Sequence, residues 1–200
     1  MTLDLPGTVE RVRQAARSSG LDRDATERLE RAARAAFEAH AGQTRRSGDP
    51  YVVHPVRVAE VVLVEWGQSD ADLGAAALLH DTLEDTDLTA DAIDRLAGPR
   101  VLDLVRLLTK DAPEGYPSKA ERDRVYFARL LAGDPGASVV KCADRVDNLR
   151  DMAGSGWSLE KKRGYVREAR ESILPVARER APAAAARLAQ VADEVERALG

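Results

Sequence analysis

Apolar residues recur at three- and four-residue intervals along nearly the whole chain, and the strict alternation that builds half-buried strands is almost absent. This periodicity predicts helices near 7–18, 22–41, 54–66, 70–83, 89–97, 99–109, 117–133, 136–152, 158–179 and 182–199. Several boundaries carry their own chemistry. Thr89, followed by Asp91 and Asp94, opens one helix, and Gly98-Pro99 divides it from the next. Gly48-Asp49-Pro50 and Gly133-Asp134-Pro135-Gly136 are turn sequences, and Gly154-Ser155-Gly156 is a loop ahead of 158–179. The expected fold class is all-α, a bundle of about ten helices forming a single domain over 1–200. The Ala-rich amphipathic segment 182–199 reads as a packing helix that completes the bundle, with a dimerisation helix as the sharper alternative. No internal repeat of solenoid length is visible.

Composition narrows this picture. Hydrophobic residues make up 44% of the chain but aromatics only 4%, so Ala, Leu and Val must fill the core. Charged residues are dispersed on helical faces, and the net charge of −4 argues against general nucleic-acid binding, which needs an excess of Lys and Arg. A local basic pocket for a small anion remains compatible with that balance. The single cysteine, Cys142, rules out an internal disulfide framework and a Cys-rich metal site. The N-terminal segment lacks an apolar core of signal-peptide length, and the apolar runs near 58–64 and 75–79 are too short to span a bilayer. The expectation is a soluble cytoplasmic protein without a membrane partner, monomeric or homodimeric.

Chemistry concentrates around two of only three histidines. His54 sits in PYVVHP, and His80-Asp81 ends the apolar run AAALL, which reads as a buried helix carrying an imidazole and a carboxylate inward. A buried carboxylate needs a cation or several hydrogen bonds. If that helix continues through Thr82-Leu83-Glu84-Asp85, Glu84 stacks one turn beyond His80 and Asp85 one turn beyond Asp81. Three carboxylates and an imidazole so placed call for positive charge, which a divalent metal supplies. On a second helix, Lys141, Asp144 and Asn148 share one stripe. His54, His80, Asp81 and Asp144 then make a mixed nitrogen and oxygen set suited to Mn²⁺, Fe²⁺ or Zn²⁺. Each residue taken alone has a duller reading. A histidine before proline is ordinarily structural, Asp144 could pair with Arg145 or Arg150, and Glu84-Asp85 could be a solvated helix end. The coincidence of all of them in a histidine-poor chain favours the joint reading.

These strings resemble the hydrolase domain of RelA/SpoT-type proteins. HAGQTRRSGDPYVVHP (40–55) is similar to its opening motif, and AALLHDTLEDT (76–86) to its central His-Asp motif with the following acid pair. Leu108-Thr109-Lys110 and KCADRVDNL (141–149) are similar to two later motifs. The resemblance runs from about 22 to about 175, and it implies an HD-domain helical bundle. The family's synthetase and regulatory domains have no room in 200 residues, so the expected kin are the small, hydrolase-only alarmone hydrolases, which the stretch from Gly156-Trp157-Ser158 through Lys161 and Tyr165 also resembles.

The resemblance implies that His54, His80, Asp81 and Asp144 hold Mn²⁺, with Zn²⁺ or Fe²⁺ as substitutes, and that Glu84 and Asp85 orient or deprotonate the attacking water. It implies that Arg45, Arg46 and Ser47 border base and ribose, that Asn148 lies near the sugar, and that Lys119, Lys161 and Tyr165 approach the phosphates. Lys141 would hold either Asp144 or a phosphate. Arg46 stands where Lys is frequent, and Asp147 where His or Tyr often precedes the Asn. The implied reaction removes the 3′-pyrophosphate of guanosine tetraphosphate or pentaphosphate, giving GDP or GTP. Two rivals stand beside it. One is the same metal chemistry on an adenosine alarmone analogue or the 2′-phosphate of NADPH. The other is a non-catalytic nucleotide sensor, against which the intact Glu84-Asp85 pair speaks.

Overall fold

The computed structural model describes residues 4–200, which fall into two compact units, one ending at Lys110 and one running Asp111–Gly200. Both are helical. Among the described residues there is no strand, only an isolated antiparallel bridge between Thr44 and Pro50.

In the first unit, α1 (Leu5–Ser18) and α2 (Arg23–Ala39) start at Asp4 and Asp22, whose carboxylates accept the amides of Gly7 and Ala25, both at 2.8 Å. The two helices pack together through Val9, Val12, Leu29, Ala33 and Ala36, all buried. α3 (Val53–Glu60) passes without a break into a π-helical turn, Val61–Glu65. Ser19, at the end of α1, lies within 2.8 Å of the Leu63 carbonyl and supplies a donor to that widened turn. α4 (Ala71–Leu79) is capped by Asp70 and is buried along almost its whole length, packed by α2, α3 and α7 (Pro99–Leu108). Gly74 lies at its tightest crossing. A Cβ there would meet Leu29 Cδ2 and Leu63 Cδ1, each at 3.0 Å. α5 (Thr82–Asp85), α6 (Ala90–Ala97) and α7 (Pro99–Leu108) complete the unit.

One expected helix is interrupted. The reading of 70–83 as continuous fails at His80-Asp81, where α4 stops and α5 begins. The cause is local: His80 Nδ1 lies 2.9 Å from the Ala77 carbonyl, and Thr82 Oγ1 donates to the Leu79 carbonyl at 2.7 Å. These side chains occupy acceptors that a continuing helix would use. Asp81 takes φ −95° and ψ −6°, in the sparsely populated bridge between helix and extended backbone.

In the second unit, a 3₁₀ turn at Pro113–Gly115 leads to α8 (Lys119–Ala132), which Ser118 caps. α9 (Pro135–Ala153) is the most buried helix of this half, packed by α8, α11 (Leu174–Arg180) and α12 (Pro182–Ala198). The stretch expected as one helix over 158–179 runs as α10 (Leu159–Glu168), a π turn at Ala169–Ile173, and α11. The wide turn precedes Pro175, which has no amide hydrogen to give to the helical ladder. α12 lays Ala185, Leu188, Ala192 and Val195 into the core. Burial pushes the Cys142 thiol up to about 12, so it stays protonated at neutral pH.

Candidate metal centre

Three of the expected ligands come together in the first unit. His54 enters from the start of α3, while His80 and Asp81 occupy the break after α4. One ligand atom from each lies within 4.8 Å of the other two. Asp81 Oδ2 is 3.1 Å from His80 Nε2 and 3.7 Å from His54 Nε2. The two imidazoles are buried and meet edge to face, with ring centres 5.1 Å apart, whereas the Asp81 side chain retains 23% of its exposure. Only the imidazole is therefore carried fully inward.

The arrangement fits a divalent cation. The Ala77 carbonyl can only accept, so His80 carries a proton on Nδ1 and presents Nε2 to a carboxylate oxygen at 3.1 Å. Two buried imidazoles and a carboxylate gathered this closely form a mixed nitrogen and oxygen set that a divalent cation can occupy, and a backbone carbonyl behind the ring is the usual support for a ligating histidine.

The acids after Asp81 differ from one another. Glu84 Oε2 accepts the Lys110 amide at 3.0 Å, which ties α5 to the chain beyond α7. Burial lifts the Asp85 carboxyl above the usual range, and the charges of Asp81 and Glu84 add to it. Tyr51 donates its hydroxyl to Asp81 Oδ2 at 2.6 Å, and burial together with the Asp81 charge holds that phenol firmly protonated. The ring of Tyr51 stacks on His40, with centres 4.6 Å apart. His40 Nδ1 lies 2.9 Å from Gln43 Oε1, while Gln43 Nε2 donates to the Asp85 carbonyl at 2.9 Å. Burial pulls the His40 pKa down, so the ring is neutral near pH 7.

The remaining expected residues have these positions. Arg45 places its guanidinium 5.7 Å from the centre of the Tyr51 ring. Arg46 and Ser47 are exposed on the same loop, where Ser47 Oγ donates to Asp49 at 3.0 Å. In the second unit, Asp144 is buried on α9 between two neighbours of its own helix: Lys141 Nζ donates to Oδ2 at 2.8 Å, and Asn148 donates to Oδ1. Lys141 therefore holds Asp144. Burial opposes its charge, but the adjacent carboxylate more than offsets that, so it stays an ammonium. Asp147 is buried on the same helix. Lys119 is exposed and bonded to Asp123 at 2.6 Å. Lys161 Nζ lies 4.1 Å from the centre of the Trp157 ring, and Tyr165 lies beneath the Arg145 guanidinium, also at 4.1 Å.

The model of the HD domain family matches residues 32–178, a stretch that contains both imidazoles and both aspartates. The chain belongs to the HD-domain family. Within it, this HD-domain chain is 40% identical over 131 residues to the human guanosine-3′,5′-bis(diphosphate) 3′-pyrophosphohydrolase MESH1, covering 63% of the chain and 72% of that protein. It is 37% identical over 153 residues to the guanosine-3′,5′-bis(diphosphate) 3′-pyrophosphohydrolase of Aquifex aeolicus, covering 76% of the chain but 21% of that relative. The chain thus spans about a fifth of the length of such long relatives. A solved structure, described as a metazoan ortholog of SpoT that hydrolyzes ppGpp, superposes with a TM-score of 0.70 at 31% identity, covering 88% of this chain and 95% of that one. The kinship read from the motifs and the all-α HD fold both hold.

Sequence reasoning missed Tyr51, His40 and Gln43 as parts of this HD-domain site. All three stood in the opening motif, but only as spacing around His54. A tyrosine three residues before a candidate ligand, in a chain with four tyrosines, was the available signal. Among the described residues, no helix is long and apolar enough to cross a membrane.

Proposed function

We propose that this chain is a metal-dependent hydrolase that removes the 3′-pyrophosphate of guanosine tetraphosphate or pentaphosphate, yielding GDP or GTP. The observation that carries this reading is the convergence of His80 Nε2 and His54 Nε2 on Asp81 Oδ2, a ligand set for a cation. Mn²⁺ suits the donor set, with Asp144 as the fourth ligand. When bound, the ion would acidify a water and polarise a phosphate oxygen.

The protein's own groups do the rest. Asp85, whose proton affinity is raised, takes the proton from the attacking water. Glu84, anchored on the Lys110 amide, orients that water. The water oxygen bonds to the phosphorus next to the ribose, the bond from that phosphorus to O3′ breaks, and O3′ leaves as a hydroxyl after taking up a proton. Arg45, Arg46 and Ser47 border base and ribose, and Asn148 lies near the sugar. Lys119, Lys161 and Tyr165 approach the phosphates, where the two ammonium groups neutralise charge. The names of the human and Aquifex relatives support this choice of substrate.

The test is chelator-stripped protein, with and without added Mn²⁺, incubated with guanosine tetraphosphate and resolved by anion exchange. Equal amounts of GDP and pyrophosphate, formed only with metal, are expected. Intact guanosine tetraphosphate, alongside loss of an adenosine alarmone or of the NADPH 2′-phosphate from the same panel, would overturn the substrate. Tight binding with no turnover would overturn the enzyme.

A further inference from the structure

Asp81 Oδ2 is the atom on which the centre converges, since both imidazole Nε2 atoms face it. A carboxylate on a short side chain at a helix break can rotate, and a hydrogen-bond donor held against it restricts that rotation. The Tyr51 hydroxyl is such a donor, 2.6 Å from the same oxygen. The contact has one polarity, because the carboxylate brings no hydrogen and the phenol must donate.

Tyr51 is itself held on every side. Its amide donates to the Gln43 carbonyl at 3.0 Å, and its carbonyl accepts the His54 amide at 2.9 Å. The residue that steers Asp81 is therefore bonded directly to the backbone of a second ligand. Its ring is stacked on His40 and meets the edge of His54 at 5.9 Å. His40 is in turn fixed by Gln43, which also holds the Asp85 main chain. The loop from 40 to 51 thus forms a bracket from the start of α3 to α5.

We infer that Tyr51 is a positioning residue of the metal centre: its hydroxyl fixes the Asp81 carboxylate toward the two imidazoles, and stacking on the ring at position 40 keeps the phenol in place. The inference rests on the metal-centre reading above. It requires only that metal bind at His54, His80 and Asp81, whatever the substrate. Groups that orient metal ligands in this way usually alter metal affinity by about 10- to 100-fold.

The decisive measurement is the Mn²⁺ dissociation constant of substrate-free protein, by competition with a chelating indicator, beside the melting temperature without metal. Tyr51→Phe keeps the ring and should weaken Mn²⁺ by about tenfold, with the metal-free melting temperature close to the parent's. His40→Phe keeps a stacking ring and the hydroxyl, and should hold affinity near the parent's. In an Asp81→Asn background, Tyr51→Phe should make little further difference. Unchanged affinity in Tyr51→Phe, equal loss in both ring variants, additive losses with Asp81→Asn, or a Tyr51→Phe protein that does not fold would each overturn the inference. A parent that binds no Mn²⁺, or whose binding survives His54→Ala and His80→Ala, would instead show that the metal-centre reading had failed.

Discussion

Asp81 and Asp144 are both aspartates expected to hold the same ion, yet the chain treats them in opposite ways. Asp81 sits at a break between helices, partly exposed, facing the imidazole of its chain neighbour His80 and, from another segment of the fold, the His54 imidazole and the Tyr51 phenol. Asp144 sits inside a helix, buried, with an ammonium three residues before it and an amide four residues after. The first carboxylate is arranged so that an external cation completes it. The second has an ammonium supplied by its own helix, which orients it before any ligand arrives. A charge that must be ready inside a core is cheapest to stabilise locally.

This contrast can be broken most severely at Asp81. Asp81→Ala should abolish turnover and Mn²⁺ binding together while leaving a folded protein, read by product chromatography and metal titration. Persistent pyrophosphate release at the parent rate would end the argument. Asp85→Asn should separate the two properties, lowering kcat by about 10²- to 10⁴-fold with metal affinity retained. A matching fall in metal affinity would make Asp85 a ligand instead of a base. On the other side, Lys141→Ala leaves Asp144 buried beside an incomplete set of partners. It should cost about 3–5 kcal/mol in a denaturant melt. Added Mn²⁺ should recover part of that loss if Asp144 is a ligand, and none of it otherwise.

The smallest effect concerns His40. Burial sets its folded-state pKa below the usual 6.5, so the unfolded chain takes up the proton more readily than the folded one. The neutral ring's contribution to stability is complete above 6.5 and drains away as pH falls through that value toward the lower folded one. His40→Phe should therefore flatten the stability difference between pH 7.5 and pH 5, measured by denaturant melts at each pH. An undiminished slope would assign it to other groups.

Much of this was legible in the sequence because helices declare themselves by period and by caps. The apolar period, the Thr89 start, the glycine- and proline-containing turns and the apolar run before His80 placed most elements within a few residues. What escaped detection was decided by side chains bonding to the backbone. The break at His80-Asp81 depends on His80 and Thr82 occupying main-chain carbonyls, and a hydrophobic pattern carries no trace of that. The choice between roles for Lys141 needed the actual separation from Asp144. The cluster of His54, His80 and Asp81 was readable by residue type, whereas the bracket behind it was not, because ring stacking is a property of three dimensions. The Glu84 bond to the Lys110 amide crosses 26 residues of chain, beyond any local reading.

The absence of a methyl group at Gly74 has reach beyond local packing. Alanine is ordinarily preferred to glycine in a helix interior by about 1 kcal/mol, but here it would press against Leu29 and Leu63. His80 lies six residues farther on, about 9 Å along the axis at 1.5 Å per residue. A tilt of α4 about that crossing would swing the imidazole sideways, so Gly74 acts as the fulcrum of the lever that aims it. Alignment of the His80 ring is thereby calibrated less than two turns away, at a position with no chemistry of its own.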